Sequence, residues 1–122
     1  MIYKMKLKEE EFNNIKYSNK IMEVRLYDEK RRKINIGDKI IFYKIPCLEE
    51  NIIVDIENIY KFSTFKELYD AFPKSFFGYN SLSINEIISK IYSIYTIEQE
   101  EKYGVIAIKF KVINKNNIKF LL

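Results

Sequence analysis

The order of strand-like and helix-like segments is the feature that most constrains the fold of this chain. Extended or alternating patterns predict strands over segments 2–7, 20–27, 39–45, 52–62 and 105–113. Helical spacing predicts helices over 8–17 and 65–72, another that starts after Ser83, and a short one over 97–102. Because strands lie on both sides of a helical insert, we expect an α+β fold built on a small mixed barrel.

Length and composition place the chain among folded proteins of one domain. It has 122 residues, of which 48% are hydrophobic and 31% are charged, so we expect a single domain over 1–122. No apolar run approaches the ~20 residues that span a bilayer. The first residues show no apolar signal-peptide core, so no membrane association and a cytoplasmic location are the expectation.

The scarcity of metal-binding side chains narrows the possible chemistry. Histidine is absent and Cys47 is the single cysteine, which excludes His-based triads and makes a zinc site very improbable. The sequence also lacks a glycine-rich phosphate loop. We therefore expect no metal and no cofactor, and any catalysis must use carboxylates, Lys, Tyr, Ser, Thr or the lone thiol.

Positive charge is concentrated in one part of the chain. The net charge is +4, but segment 16–44 holds nine cations and four acids, so the rest of the chain is slightly negative. All three arginines, Arg25, Arg31 and Arg32, lie in this segment. A localised basic segment is compatible with nucleic-acid binding, although the overall charge alone does not demonstrate it.

Lys20, Glu23 and Arg25 form the most informative cluster. Glu23 and Arg25 are two residues apart on a predicted strand, so they share one face, and Lys20 lies at the start of that strand. This cation–carboxylate–cation set is net positive and can bind a phosphate while Glu23 accepts a hydrogen bond from a base or ribose. The alternative is a surface ion pair that contributes ~0–1 kcal/mol.

The same residues carry a resemblance to a known family. Segment 18–25 resembles the ASCH signature Gly-x-Lys-x-x-Glu-x-Arg, with Ser18 in place of the glycine, and segments 32–42 and 101–108 are similar to later elements of small bacterial members. The resemblance implies a PUA-like mixed β-barrel of about five or six strands with flanking helices. It also implies RNA binding in a cleft beside the Lys/Glu/Arg strand.

Some ASCH relatives hydrolyse the acetyl amide of acetylcytidine with a Lys, a Thr and a Glu. In this sequence the Lys position corresponds to Lys20, the Thr position holds Glu23, and the Glu position falls near Asn80. Lys20 and Glu23 are therefore the catalytic candidates if the protein is an enzyme, either an amidohydrolase or a ribonuclease. A binding protein without catalytic activity is the preferred interpretation.

The predicted RNA or nucleoside-like ligand site comprises seven residues: Lys20, Glu23, Arg25, Arg31, Arg32, Tyr79 and Asn80. The cationic segment 30–33 can contact phosphates or can be a solvated turn. Tyr79, and with less support Phe77, can stack on a base or can belong to a loop that covers the barrel end.

A third hypothesis is a protein-interaction module. The tail over 114–122 is polar and then apolar, so it can add an edge strand or dock on a partner. The sequence predicts no oligomeric state.

Overall fold

The computed structural model of the chain describes residues 1–114. Its five strands are β1 (Ile2–Leu7), β2 (Met22–Leu26), β3 (Lys39–Lys44), β4 (Asn51–Phe62) and β5 (Val105–Asn114). Its four α-helices are α1 (Glu9–Tyr17), α2 (Phe65–Asp70), α3 (Ile84–Tyr92) and α4 (Ile97–Tyr103). The predicted α+β class is confirmed. The predicted tail element lies outside the described residues beyond Asn114.

Short 3₁₀ turns replace two segments that the sequence indicated as irregular. One covers Arg31–Lys33 in the charged turn, and the other covers Lys74–Phe77 before the Tyr79 loop. α2 ends at Asp70, two residues before the predicted end.

All five strands belong to one sheet in the order β1-β3-β4-β5-β2. β1 and β3 run parallel, and the other three pairings are antiparallel. The sheet curls into a half-barrel, with β1 and β2 as its two edges. We call the gap between these edge strands the seam.

The first half of β5, from Val105 to Ile108, is buried on both faces because it separates two apolar cores. Ile106, Ile108 and Phe110 join the core inside the curled sheet, together with Phe12 of α1. Val105 and Ala107 alternate with them and pack against the second core, which the helical insert covers. Strand alternation therefore sends neighbouring residues of one strand into different cores.

The helical insert contains α2, α3 and α4, which lie between β4 and β5 in the chain. Its helices have side-chain N-caps and pack on the second core. Ser83 and Glu86 form the predicted capping box at the start of α3. Ile87 and Ile91, one helical turn apart, are its buried residues. α4 ends at Gly104, whose φ of 71° suits glycine, and the chain enters β5 directly.

Candidate functional site

A pocket with a volume of about 250 Å³ opens at the seam. β1, α1, β2, α3 and the loop around Tyr79 contribute to its wall. The residues that line this seam pocket are Lys6, Leu7, Lys8, Glu11, Lys20, Met22, Glu23, Val24, Arg25, Ile45, Tyr69, Phe77, Tyr79, Ile87, Lys90, Ile91, Ile94 and Tyr95.

The floor of the pocket is a buried ionic cluster around Lys20. The Lys20 Nζ atom lies 2.5 Å from an oxygen of Glu11 and 2.8 Å from an oxygen of Glu23. Lys20 and Glu23 are each only 5% exposed. Two carboxylates thus share one ammonium group, which compensates part of the cost of removing these charges from water.

Arg25 continues the cluster across the seam. Its Nε donates to Glu23 over 2.8 Å, and its Nη2 donates to the main-chain oxygen of Lys6 on β1 over 3.1 Å. In the register of β2 with β5, Glu23 lies opposite Ile108 and Arg25 opposite Ile106. Both side chains therefore occupy the inner face of the curled sheet, where Arg25 connects its two edges.

Glu11 is the member of this cluster that the sequence did not reveal. It lies in the first turn of α1 beside Glu9 and Glu10, where acidic residues are expected because they complement the helix dipole. With Glu11 included, the cluster holds two cations and two carboxylates, so the expected net positive set is in fact electroneutral. Only the Glu11-x-x-x-Ile15 spacing, which turns Glu11 toward the apolar side of α1, offers a hint.

The charges of the floor are mutually stabilised. Burial lowers the pKa of the Lys20 ammonium, but the nearby Glu23 and Glu11 carboxylates outweigh this effect and raise it above its usual value. Burial raises the pKa of Glu23, yet Lys20 and Arg25 together lower it below the usual range. At neutral pH Lys20 is therefore an ammonium group and Glu23 a carboxylate, and each is stabilised by the other.

The side walls are aromatic and aliphatic. Tyr69, Phe77, Tyr79 and Tyr95 contribute rings, and α3 contributes Ile87, Ile91 and Ile94. Phe77 is 2% exposed and belongs to the second core, so it is not the exposed platform that the sequence allowed. Pockets with such walls and a few polar groups are typical of small-ligand sites.

Tyr79 is placed by contacts that depend on Gly78. The Tyr79 hydroxyl donates to Glu11 over 3.4 Å, and the Lys90 ammonium lies 5.1 Å from the ring centroid. Gly78 has a φ of 85°, and a Cβ atom there would lie 3.0 Å from the Cβ of Asn14. Glycine therefore lets the loop approach α1 closely. Burial and the Glu11 carboxylate raise the pKa of the Tyr79 hydroxyl well above its usual value.

The rim of the pocket is cationic. Lys6, Lys8 and Lys90 line it; Lys6 and Lys8 are exposed, and Lys90 lies 3.3 Å from Glu10. The pocket thus combines a neutral floor with a rim that favours anions.

A second depression, with a volume of about 540 Å³, adjoins the pocket. We call it the basic groove. Its lining residues are Tyr3, Lys4, Met5, Lys6, Arg25, Lys30, Arg31, Lys33 and Ile34. Lys6 and Arg25 line both the pocket and the groove.

The seven predicted site residues separate into three groups. The pocket brings together Lys20, Glu23, Arg25 and Tyr79. Arg31 lines the basic groove, where its guanidinium pairs with Asp28 over 3.1 Å. Arg32 and Asn80 are exposed and line neither depression; the Arg32 guanidinium lies 4.6 Å from the Tyr27 ring centroid.

Comparison with protein families and solved structures shows which family this chain belongs to. The model of the ASCH domain matches residues 5–114. The chain belongs to the ASCH domain family. The hypothetical protein PH0355, known from a crystal structure, is 37% identical, covers 93% of this chain over 100% of its own length, and superimposes with a TM-score of 0.82.

Two further solved structures resemble this ASCH domain. A Pyrococcus furiosus protein solved in solution by NMR is 32% identical over 93% of this chain and 99% of its own, with a TM-score of 0.68. The ASCH protein of Zymomonas mobilis, crystallised as a mutant, is 17% identical over 97% of this chain and 75% of its own, with a TM-score of 0.62. No curated protein matches. The predicted family and fold are confirmed.

Two features are absent from residues 1–114 of this ASCH domain. None of its helices there has the length and apolar character needed to cross a membrane. Nor do three or more acidic, Cys or His side chains in that part of the chain converge on a position suited to a metal ion.

Proposed function

We propose that this ASCH domain binds RNA or a nucleotide-like ligand, with one base held in the seam pocket. The observation that carries the proposal is the convergence of Lys20, Glu23 and Arg25 beneath aromatic walls and a lysine rim. Aromatic faces stack on any base, and cations around a cleft attract the adjoining phosphates.

The floor has hydrogen-bonding capacity that its internal bonds leave unused. An ammonium group has three donors, and the two bonds from Lys20 to Glu11 and Glu23 use two of them. Each carboxylate oxygen can accept two hydrogen bonds, and each Glu23 oxygen accepts one from Lys20 or Arg25. An electroneutral floor with donors and acceptors side by side suits the edge of an uncharged base.

Binding is favoured over hydrolysis by the state of Lys20. A catalytic base or nucleophile needs an unprotonated amine, whereas the pKa of Lys20 is raised by Glu23 and Glu11. Glu23 occupies the position where the hydrolytic relatives have Thr, and Asn80, near their Glu position, is exposed outside the pocket. These observations support a ligand-binding role.

Fluorescence anisotropy with labelled single-stranded RNA tests the proposal. We expect RNA to bind wild-type protein, and the affinity to fall steeply with salt because phosphate contacts release counterions. Tyr79→Ala is expected to weaken binding about tenfold, since one base–aromatic stack contributes ~1–3 kcal/mol. Tyr17→Ala is the matched control, because Tyr17 is exposed on α1 and lies outside the pocket.

The proposal is wrong if neither RNA nor any nucleoside 5′-monophosphate binds wild-type protein at low salt, or if the two tyrosine variants bind the ligand equally well. Incubation of wild-type protein with acetylcytidine and with RNA tests hydrolysis. We expect no product. Product formed by wild type and lost in Lys20→Arg would establish an enzyme instead.

The extent of the single domain over 1–122 and the cytoplasmic location stay predictions. The same holds for docking through the tail over 114–122.

A further inference from the structure

We propose that the basic groove holds the phosphodiester backbone next to the base in the seam pocket, so that the ligand is an RNA strand and not a free nucleoside. This inference rests on the proposed function, because it requires a base in the pocket. It adds the class of ligand and a separate phosphate-binding surface.

The charge of the groove differs from that of the pocket. Its lining includes six cations and no carboxylate; the cations are Lys4, Lys6, Arg25, Lys30, Arg31 and Lys33. Within residues 1–114, no carboxylate lies within ion-pair distance of its four lysines, whereas Arg25 and Arg31 pair with Glu23 and Asp28. Some lysines elsewhere do pair with acids, as in Lys39 with Asp55 and Lys66 with Asp70, so the groove is distinguished by having in one depression several lysines without such a partner among residues 1–114. Four uncompensated lysines in one depression favour a polyanion.

The size and position of the groove suit a strand that leaves the pocket. Its volume of about 540 Å³ is more than twice the 250 Å³ of the pocket. Lys6 and Arg25 line both depressions, so the two are neighbours on the surface and the proposed strand crosses from one to the other over these two residues. A base fills the smaller, apolar space, and the adjoining sugar and phosphates run along the larger, cationic one.

Arg25 is the residue that connects the two spaces. Its Nε donates a hydrogen bond to Glu23 in the pocket, and its Nη2 donates one to the main-chain oxygen of Lys6 on β1. Neither bond uses Nη1. A guanidinium whose orientation is fixed on two sides keeps that nitrogen for a phosphate oxygen at the boundary, where planar Arg donors are effective.

The far wall of the groove is also held in place. The Tyr3 hydroxyl donates to the main-chain oxygen of Lys33 over 2.8 Å, which joins β1 to the 3₁₀ turn. Ile34, directly after that turn, is buried in the core inside the sheet. The lysines therefore extend from a fixed frame, which reduces the conformational entropy lost on binding.

The experiment compares Lys4→Gln/Lys33→Gln with Lys102→Gln/Lys111→Gln by RNA anisotropy over a salt series. Both pairs remove two exposed lysines that have no salt bridge within residues 1–114, but only the first pair lines the groove. The probes are a labelled single-stranded RNA, the four nucleosides, their 5′-monophosphates and polyphosphate. The melting temperature of each variant confirms folding.

We expect the groove variant to bind RNA about tenfold more weakly at low salt and to show a salt slope shallower by about 1.4, or ~0.7 for each lost contact. The control pair should match wild type. Monophosphates should bind wild-type protein more tightly than nucleosides do, and the groove variant should reduce this difference.

The failures are distinguishable. If RNA binding depends on Tyr79 but the groove and control variants share one affinity and one salt slope, the groove inference is wrong and the proposed function stands. If polyphosphate binds as tightly as RNA, the link between groove and pocket is wrong. If monophosphates bind wild-type protein but RNA does not, only the groove inference fails. If neither binds, the proposed function fails, and the inference fails with it.

Discussion

Glu23 at the seam and Glu100 at the junction of α2, α3 and α4 are buried to the same extent, each 5% exposed, but their partners differ. Glu23 is held by the charged groups of Lys20 and Arg25. Glu100 accepts from neutral donors, the main-chain N–H of Phe65 and the Tyr92 hydroxyl, each over 2.8 Å.

This difference distinguishes a carboxylate that stabilises the fold from one that belongs to a candidate ligand site. Glu100 caps the first residue of α2 and connects it to α3 and α4, and it lines neither depression. Glu23 belongs to a chain of charges that ends at a pocket. A buried carboxylate therefore indicates a candidate site only when its partners also face a space that a ligand can enter.

The largest expected effect is at the seam. Lys20→Met removes the shared cation and leaves Glu11 and Glu23 without it, so we expect the free energy of unfolding to fall by about 3–5 kcal/mol. Urea denaturation measures this. Lys66→Met, at an exposed pair with Asp70, is the control and should leave the midpoint unchanged. An unchanged Lys20→Met midpoint would show that the buried pairs contribute nothing.

The second prediction concerns the junction. Glu100→Gln keeps one acceptor oxygen but replaces the other with an amide N–H₂ group, which faces N–H and O–H donors and cannot accept from them. We therefore expect the free energy of unfolding to fall by about 1–3 kcal/mol. The same urea experiment measures the loss, and RNA anisotropy should show unchanged affinity. Weakened binding by a folded Glu100→Gln protein would contradict the separation of the two regions.

The third prediction is the pH dependence of the seam. The pKa of Glu23 is lowered from 4.5, so its contribution is present above about pH 4.5 and is lost as the pH falls through the folded value. The pKa of Lys20 is raised from 10.5, so its contribution is present below about pH 10.5 and is lost as the pH rises further. Each group can change stability by at most about 1.4 kcal/mol per pH unit.

Urea unfolding of wild type and of Lys20→Met/Glu23→Gln across this range measures the difference. The difference in the free energy of unfolding between wild type and the double variant should be largest between about pH 4.5 and about pH 10.5. It should become smaller below and above that range. A constant advantage at every pH would mean that the seam charges do not titrate differently in the folded state.

The smallest expected effects concern the hydroxyl groups of Tyr92 and Tyr79. Tyr92→Phe removes a 2.8 Å bond to Glu100 and should cost about 1 kcal/mol with RNA affinity unchanged. Burial, and then that bond, raise the pKa of Tyr92 to about 12, so this contribution is lost as the pH rises from about 10 through that value. Tyr79→Phe removes a longer 3.4 Å bond to Glu11 and should cost less stability.

Thermal unfolding and anisotropy on both variants decide this comparison. Tyr79→Phe keeps the stacking ring, so its RNA affinity should fall less than that of Tyr79→Ala. A larger stability loss in Tyr79→Phe than in Tyr92→Phe would reverse the proposed roles of the two regions.

Local sequence patterns were sufficient to predict the helices and strands of the fold and part of the candidate site. Strand alternation around Val105 and the capping box at Ser83 and Glu86 depend on neighbours within a few residues, and the structure contains both. The placement of Glu23 and Arg25 on one face of β2 is equally local, and the ion pair between them follows.

Contacts between distant residues could not be predicted in this way. Apart from its spacing to Ile15, Glu11 looks like the neighbouring Glu9 and Glu10, and its contact with Tyr79 joins residues 68 positions apart. The entry of Lys90 from α3 into the rim depends on how the helical insert packs on the sheet. No periodicity in the sequence encodes that packing.

The sequence by itself determined the family, the α+β class, the strand that carries Lys20, Glu23 and Arg25, and the concentration of cations around it, because these depend on residue type and short-range spacing. Only the tertiary structure decided that the cluster is electroneutral and buried, and that it lies where the edge strands β1 and β2 approach each other. It also decided that a groove adjoins it whose lysines form no ion pair with any acid of residues 1–114. The physical reason is that charge compensation and burial depend on which distant segments the folded chain brings into contact.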